Sequence, residues 1–232
     1  MPGYYYYGFD IYYLILILPA FLLSLFAQIK VKSTFSRYSK TFNQKGLTGA
    51  EAAMQVLSSH GVSGVSVERV NGNLTDHFDP RTNVIRLSDS VYDSTSVAAI
   101  GVAAHEAGHA VQHAQNYKPI KVRNSLVPIV NFSSGFSWVA ILMGFVFSFQ
   151  PLVLIGIALF SFAVLFQIVT LPVELNASAR AVKTIKSTEI LNENEVKGAK
   201  SVLTAAAMTY VAAAIMSIAQ LLRLLLLARR RN

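Results

Sequence analysis

The sequence predicts an α-helical integral membrane protein with about four spans and a small α+β domain. Of its 232 residues, 53% are hydrophobic and only 14% are charged, and the mean hydropathy is +0.45. That is too little polar surface for a soluble globular protein of this size. The apolar residues lie in long blocks near the start, the middle and the end, and two polar stretches separate them. The blocks therefore predict membrane spans, and the polar stretches predict a domain outside the bilayer.

Four apolar blocks are long enough to cross a bilayer, which takes about 17–25 residues. They comprise residues 11–29, 126–149, 152–171 and 202–227. Only Gln150 and Pro151 separate the second block from the third, so these two spans are expected to form an antiparallel hairpin. No Lys or Arg precedes the first block, which argues against a cleaved signal peptide. The tyrosines at 4–7, with Tyr12 and Tyr13, indicate an interfacial aromatic belt instead.

The distribution of basic residues indicates how the chain is oriented. The two polar stretches, residues 30–125 and 172–201, contain 16 of the 20 Lys and Arg residues, so the positive-inside rule predicts that they are cytoplasmic. The arginines at 229–231 disagree, and the last helix is therefore expected to be tilted, partial or packed against the others. Orientation also explains the net charge of +8 without a nucleic-acid partner, because no basic patch is interleaved with aromatic residues.

These observations divide the chain into five segments. We expect an N-terminal transmembrane helix (1–29), a first polar segment (30–125), a transmembrane hairpin (126–171), a second polar segment (172–201) and a C-terminal transmembrane or membrane-packed helix (202–232). The chain has no cysteine, which excludes disulfides and thiolate metal ligands.

The first polar segment contains clear helix and strand signals. Thr48 and Glu51 form a capping-box pattern that predicts a helix over 49–60. Alternating residues predict strands at 65–68 and 84–87, and residues 74–78 are expected to pair with 84–88 as a hairpin. Ser94 or Ser96 is expected to cap a further helix that continues through Gln115.

The second polar segment is expected to contain two helix starts. Pro172 suits the first turn of a helix, because its missing N–H group has no partner there, and it predicts a helix that runs to about Lys186. Asn192 with Glu195 predicts the start of the helix that leads into the last apolar block.

The helix that ends near Gln115 contains a His-Glu-x-x-His motif, His105-Glu106-Ala107-Gly108-His109. Residues four apart lie on one face of a helix, so the two imidazoles can bind one Zn²⁺ ion. Glu106 lies beside them and can accept a proton from the attacking water, whose acidity zinc raises. The motif therefore predicts a catalytic zinc site.

A catalytic zinc ion usually has three protein ligands, so a third His, Asp or Glu is needed. His113 lies eight residues from His105, about 12 Å of helix rise, which is too far for one metal to reach both motif histidines as well. His60 follows the helix over 49–60, where a histidine commonly caps carbonyls or meets solvent. His77 lies in the expected hairpin. It could contact substrate near the site, but the simpler expectation is a strand residue exposed to solvent.

Glu174 is the strongest candidate for the third ligand. It opens the helix expected after Pro172, and the small residues that follow would let this helix approach the motif helix closely: Ala177, Ser178, Ala179 and Ala181. The alternative is that Glu174 is an ordinary acidic residue, of the kind favoured at a helix N-terminus.

Several runs of the sequence resemble a known family. Residues 76–81 (Asp-His-Phe-Asp-Pro-Arg), 84–88 and 101–113, together with 174–178 and 209–212, are similar to the bacterial membrane-bound neutral zinc metallopeptidases of the YugP-like family. The resemblance covers nearly the whole chain. It implies peptidase activity and a bacterial membrane.

The layout is more distantly similar to two groups of membrane gluzincins, the heat-shock gluzincins and those that process prenylated proteins. That likeness implies a Glu on a later helix as third ligand, followed four positions on by an Asp. Here Ser178 occupies that position. A serine hydroxyl or another carboxylate is then expected to supply the hydrogen bond that a zinc-ligating histidine needs.

The sequence thus predicts a membrane-embedded, zinc-dependent endopeptidase with a zincin-like (gluzincin) catalytic domain. Zn²⁺ is expected to be held by His105, His109 and Glu174, and Glu106 is expected to activate the attacking water. The attack of water on the scissile carbonyl produces an oxyanion, and Arg180 or Tyr210 is a candidate to stabilise it. The similar gluzincins also suggest residues 84–87 as the edge strand to which an extended substrate pairs.

The expected partners are protein or peptide substrates, mainly membrane-associated ones, and the lipid bilayer, and the expected location is the bacterial inner membrane. The competing class is a non-catalytic membrane scaffold or chaperone-like binder in which zinc is structural or absent.

Overall fold

A computed structural model of the chain describes residues 11–229. Two parts of the sequence predictions lie outside these residues: the tyrosines at 4–7 of the expected aromatic belt, and the arginines at 230 and 231. The described residues form two compact units. The first unit comprises residues up to Phe26, Leu126–Ile168 and the residues from Ala212 onward, and the second comprises Ala27–Ser125 and Val169–Val211.

Four helices of the described part of the chain are long and apolar enough to cross a membrane. They are α1 (Leu18–Tyr38, preceded by the π-helical turn Tyr13–Ile17), α4 (Lys118–Val146), α5 (Gln150–Ser187) and α6 (Glu193–Arg229). The four predicted spans are thus present as helices, each of which extends beyond its apolar block. The expected short connection between the second and third spans is also present, between Val146 and Gln150.

Within the first unit, two glycines bring α4 and α5 into close contact. A Cβ atom at Gly144 would lie 2.7 Å from the backbone nitrogen of Val153, and one at Gly156 would lie 2.8 Å from that of Ile141. Small residues commonly permit such backbone contacts between membrane helices. Many large apolar side chains of this unit are exposed, including Phe132, Leu142 and Phe147. Exposed apolar surface of this kind is what a lipid environment solvates.

The second unit contains two further helices of the first polar segment and a small sheet. Helix α2 (Gly49–Ser59) begins at the predicted capping box, in which the Thr48 hydroxyl accepts from the Glu51 amide and the Glu51 carboxylate accepts from the Thr48 amide. Helix α3 (Val97–Ala114) is capped by Ser96, whose hydroxyl accepts from the Ala99 amide. Both predicted helices are confirmed to within two residues.

The sheet consists of β1 (Ser66–Val70), β2 (His77–Asp79) and β3 (Val84–Ser88), in the order β1-β3-β2. The antiparallel pairing of β2 with β3 confirms the predicted hairpin, although β2 is shorter than the predicted strand at 74–78 and begins later. The expectation that β3 is an edge strand is wrong. It pairs in parallel with β1 on its other side, so both of its edges are used, and Ile85 and Leu87 are fully buried.

Helix α5 differs from the prediction at Pro172. The sequence favoured a new helix that starts there, but Pro172 lies inside one continuous helix, so Glu174 does not open a helix of its own. A proline lacks only one N–H donor, and a long helix retained by its other hydrogen bonds and by packing can accommodate that loss. The start of α6 was predicted correctly, because Asn192 accepts from the Glu195 amide and Glu195 accepts from the Asn192 amide.

The core of the second unit joins α2, α3, the sheet and the adjoining parts of α5 and α6. Its members are mostly alanine and β-branched residues, among them Val56, Ile85, Ile100, Ala181 and Ile185. Small side chains shorten the distance at which helices pack, because fewer atoms separate their backbones. This packing fixes α3 and α5 against each other at the site described next.

Candidate metal centre and active site

Helix α3 places its motif residues on the face that packs against the core. Its first two turns are composed of apolar residues, most of them buried, and the motif follows directly. Glu106 is 8% exposed and His109 is 9% exposed. Two imidazoles one helical turn apart are therefore held side by side, with ring centroids 4.7 Å apart and an interplanar angle of 82°.

Glu174 of α5 reaches the histidines because the two helix backbones nearly touch. A Cβ atom at Gly108 would lie 2.8 Å from the carbonyl oxygen of Ala177, which leaves no room for a side chain there. Gly108 lies between the two motif histidines, and Ala177 lies between Glu174 and Ser178. The close approach thus occurs where the ligand candidates of the two helices face each other.

The three candidate ligands converge on one point. Oε2 of Glu174 lies 3.3 Å from Nε2 of His105 and 3.5 Å from Nε2 of His109, and the ligand atoms of all three residues lie within 4.8 Å of one another. Four ligands at the usual zinc distances of about 2.0–2.1 Å in a tetrahedron are separated by about 3.4 Å. The two nitrogen–oxygen separations match that value. Among the described residues, this is the group of His, Asp and Glu side chains that could hold a metal ion.

The electrostatics of the cluster also favour a cation. Oε2 of Glu174 is buried and has no hydrogen-bond partner. Burying an unsatisfied carboxylate oxygen destabilises the folded protein unless a cation binds to it. Burial by itself lowers the pKa of His109, but the neighbouring carboxylates of Glu174 and Glu106 raise this pKa above its ordinary value. Two imidazole nitrogens and one carboxylate are a usual donor set for a divalent zinc ion, so the residues fit that metal.

Each histidine also has a partner at its other ring nitrogen. Nδ1 of His105 lies 3.1 Å from the hydroxyl of Ser178, so the serine four residues after Glu174 contacts a ligand candidate. Nδ1 of His109 lies 3.1 Å from Oε1 of Gln112. Sequence reasoning did not identify Gln112. Its position three residues after His109, on the same helix face, was the available signal.

A cavity of about 440 Å³ opens onto the cluster. His105, Glu106 and Glu174 line it, as do Lys32, Asp76, Ser178 and Tyr210, and the rest of the wall is largely apolar: Val31, Phe35, Leu74, Val102, Val202, Leu203, Ala206 and Ala207. A mostly apolar cleft with a few convergent polar groups is typical of a substrate site. Tyr210, a candidate to stabilise the oxyanion, therefore lies in the cavity that the motif lines.

The other histidines lie outside the cluster. The exposed His77 is bonded through Nδ1 to the carbonyl of Thr75, and the exposed His113 contacts the ring of Phe78 at 5.8 Å. Nδ1 of His60 lies 3.0 Å from the carbonyl of Val56, which is the capping contact expected for it. None of the three belongs to the described metal-binding group.

Arg180 does not line the cavity. Its Nε donates to Oδ1 of Asn176 at 2.7 Å and its guanidinium donates to Oε1 of Gln115 at 2.6 Å, while Tyr117 contacts its face. The guanidinium lines a separate surface depression with His60 and Lys183. The expectation that Arg180 stabilises the oxyanion is therefore not supported by its position.

Comparison with known proteins identifies the family. The family model described as "Putative neutral zinc metallopeptidase" matches residues 13–229. The chain is 47% identical to the "Putative membrane protease YugP" of Bacillus subtilis over 215 residues, which covers 93% of this chain and 96% of that protein. No solved structure matches the chain. The resemblance noted in the sequence is thus confirmed, and the chain belongs to the "Putative neutral zinc metallopeptidase" family.

Proposed function

We propose that the protein is a membrane-embedded, zinc-dependent endopeptidase in which His105, His109 and Glu174 hold the metal. The observation that carries this proposal is the convergence of two Nε2 atoms on a buried Glu174 oxygen that has no hydrogen-bond partner. The zincin-like (gluzincin) architecture belongs to the same proposal, with a catalytic domain assembled from segments 30–125 and 172–201.

Each residue of the site then has a defined role. Zinc, when bound, supplies a Lewis acid that polarises the scissile carbonyl and makes water more acidic. Glu106, in the cavity beside the ligands, accepts the proton of the attacking water and passes it to the leaving amine. Because Glu106 is nearly buried, its carboxylate has few competing contacts with bulk water. Ser178 and Gln112 keep the two imidazoles oriented.

Tyr210 is the group that we propose to stabilise the oxyanion. It lines the cavity together with Glu106 and Glu174, and a phenol hydroxyl can donate a hydrogen bond to the carbonyl oxygen as negative charge develops on it. Arg180 is no longer a candidate, since its guanidinium is bonded to Asn176 and Gln115.

The preferred substrates are membrane proteins cut near their membrane boundary. Glu174 follows the third apolar block, which ends at Leu171, by only three residues of the same helix, about 4.5 Å of axial rise. The metal ligand therefore lies within one turn of the apolar segment. We expect efficient cleavage of membrane-tethered or partly unfolded chains. Efficient turnover of a folded soluble protein, without cleavage of tethered peptides, would contradict this preference.

The catalytic domain is proposed to face the cytoplasm of a bacterial cell, because segments 30–125 and 172–201 carry most of the basic residues. Single cysteines at Ser58 and Gln150 test this in a chain that has no native cysteine. In intact cells, an impermeant thiol reagent is expected to label the cysteine at Gln150 and to spare the one at Ser58. The reverse labelling would place the domain outside.

The experiment that tests the peptidase uses Glu106→Gln, which keeps size and shape but removes the base. We expect at least a ~100-fold loss of peptide cleavage with full zinc content, because general base catalysis contributes about 10²–10⁴-fold. Glu68→Gln, which changes an exposed glutamate of β1, is the matched control and should leave both quantities unchanged.

The same variant distinguishes the peptidase from a scaffold in cells. Membrane proteomes of cells with the intact protein and with Glu106→Gln should differ, with substrates that accumulate uncut only in the variant. Identical proteomes, together with no peptide cleavage by either protein in vitro, would favour a non-catalytic scaffold with structural zinc.

A further inference from the structure

A series of hydrogen bonds between buried and half-buried polar side chains connects Arg180 to His109. Gln112 is fully buried, with 0% exposure, and all of its amide groups are bonded. Its Nε2 donates to the carbonyl of Val173 at 2.8 Å and to Oδ1 of Asn176 at 3.0 Å. Its Oε1 lies 3.1 Å from Nδ1 of His109. Sequence reasoning assigned no role to Gln112 or Asn176.

The chemistry of the groups determines which one donates in every hydrogen bond of this series. A guanidinium can only donate, so Nε of Arg180 must donate to an oxygen of Asn176, at 2.7 Å. That oxygen, Oδ1, is then the acceptor for Gln112, which must present Nε2 to it. The neighbouring carbonyl of Val173 is also an acceptor and demands the same orientation. A flipped Gln112 amide would place oxygen against two oxygens, which removes the usual ambiguity of amide assignment.

These hydrogen bonds also determine which ring nitrogen of His109 carries a proton. With Nε2 of Gln112 committed to α5, only Oε1 faces His109, and an oxygen acceptor requires a proton on Nδ1. A neutral imidazole protonated at Nδ1 carries its free electron pair on Nε2, which is the atom that faces Glu174 at 3.5 Å. His105 lacks this constraint, because the Ser178 hydroxyl can either donate or accept.

We propose that Arg180, Asn176 and Gln112 form a relay that fixes the Nδ1-protonated form of His109 and so presents Nε2 to zinc. This inference rests on the proposed function for the identity of the metal. The three are positioning residues: they act through His109 and touch neither substrate nor metal. Arg180, which the sequence suggested as a group at the reaction centre, thus acts from the far end of the relay.

The test measures the zinc affinity of the full-length protein in detergent, by competition with a chromophoric chelator, and the thermal stability of the metal-free protein. Gln112→Met keeps the volume but removes the acceptor, and it should weaken zinc binding by about 10–100-fold, the usual effect of losing such a partner. Gln112→Glu restores an acceptor for Nδ1–H but cannot donate to α5. It should recover most of the affinity while it lowers the stability of the metal-free protein.

Both variants lose the donation to α5, but only Gln112→Met is expected to lose most of the zinc affinity. A merely structural role for Gln112 does not predict that difference in affinity. If Gln112→Met does not fold, Arg180→Met replaces it as the test, with Lys183→Met as the matched loss of one positive charge on the same helix. We expect several-fold weaker zinc binding in Arg180→Met and no change in Lys183→Met.

Two results would overturn the relay. One is a folded Gln112→Met protein whose zinc affinity stays within twofold of the original, or a Gln112→Glu protein that loses as much affinity as Gln112→Met. The other is equal zinc affinity in Arg180→Met and Lys183→Met. Failure of the proposed function gives a different result, since the unaltered protein would then bind no stoichiometric zinc.

Discussion

Helices α3 and α5 provide the candidate ligands in two different ways. Helix α3 supplies His105, Glu106 and His109 from little more than one turn, and Ser96 caps its start. Helix α5 supplies a single ligand, Glu174, from the interior of a 38-residue helix that also contains the third apolar block. The local motif was readable in the sequence, whereas the contribution of α5 depends on where its backbone passes in the fold.

The difference shows that capping residues mark helix boundaries more reliably than proline does. A capping serine or a capping box marks a boundary because a side chain satisfies specific backbone groups there. A proline marks no boundary by itself, because it is tolerated both in a first turn and, at a cost, inside a helix. The prediction of a helix start at Pro172 is therefore wrong, although Glu174 does lie close to the two motif histidines.

The largest expected effect comes from removing the ligand candidate that α5 contributes. Glu174→Ala should abolish zinc retention and peptide cleavage together, because two neutral imidazoles alone hold a divalent ion weakly. His113→Ala and His77→Ala are the matched controls, since both side chains lie outside the cluster. Zinc content and cleavage should be measured in detergent. Normal zinc and activity in Glu174→Ala, with loss in either His variant, would move the third ligand to that histidine.

The next effect comes from the contact between the two helices. Gly108→Ala adds a methyl group 2.8 Å from the Ala177 carbonyl, so α3 and α5 must separate. We expect about 1–3 kcal/mol of destabilisation from overpacking and about 100-fold lower cleavage, since a shift near 1 Å at a catalytic centre has that consequence.

Gly101→Ala is the matched control on the same helix. Its Cβ atom would meet Ala199 at 3.4 Å, an ordinary contact, and alanine favours a helix over glycine by about 1 kcal/mol. Thermal unfolding and cleavage rates check both variants. Equal activity in the two proteins would mean that the close approach at Gly108 does not position the ligands.

A smaller effect is expected at Ser178, which orients the first histidine from α5. Ser178→Ala removes the hydroxyl at 3.1 Å from Nδ1 of His105 and should weaken zinc binding by about tenfold. Ser178→Asp should retain the affinity, because a carboxylate at this position can accept a hydrogen bond from Nδ1–H of His105. Chelator competition measures both. A loss in Ser178→Asp as large as that in Ser178→Ala would show that the serine has a different role.

The sequence was most informative where chemistry and structure are local. The motif and the capping boxes depend on residues within four positions of one another, and the four apolar blocks and the β2–β3 hairpin each depend on one continuous stretch of the chain. The parallel pairing of β1 with β3 depends on residues 18 apart, such as Ser66 and Val84, and it changed β3 from an expected edge to the centre of the sheet. Likewise, the bond from Gln112 to Asn176 joins positions 64 apart, which one sequence cannot reveal.

The smallest expected effect tests the continuity of α5 directly. In a continuous helix, Pro172→Ala restores the hydrogen bond from residue 172 to the carbonyl of Ile168, which is worth part of the ~3 kcal/mol that an interior proline costs. Alanine also gives the unfolded chain more conformational entropy than proline does, which lowers the gain in folding stability by about 0.4–1 kcal/mol. A net gain of about 1–2 kcal/mol in stability is therefore expected. Pro119, in the first turn of α4, is the matched control, because its replacement restores no hydrogen bond and should give no gain. Thermal unfolding of the metal-free proteins, compared at one scan rate, measures the difference, and equal behaviour of the two variants would indicate a helix that starts at Pro172 after all.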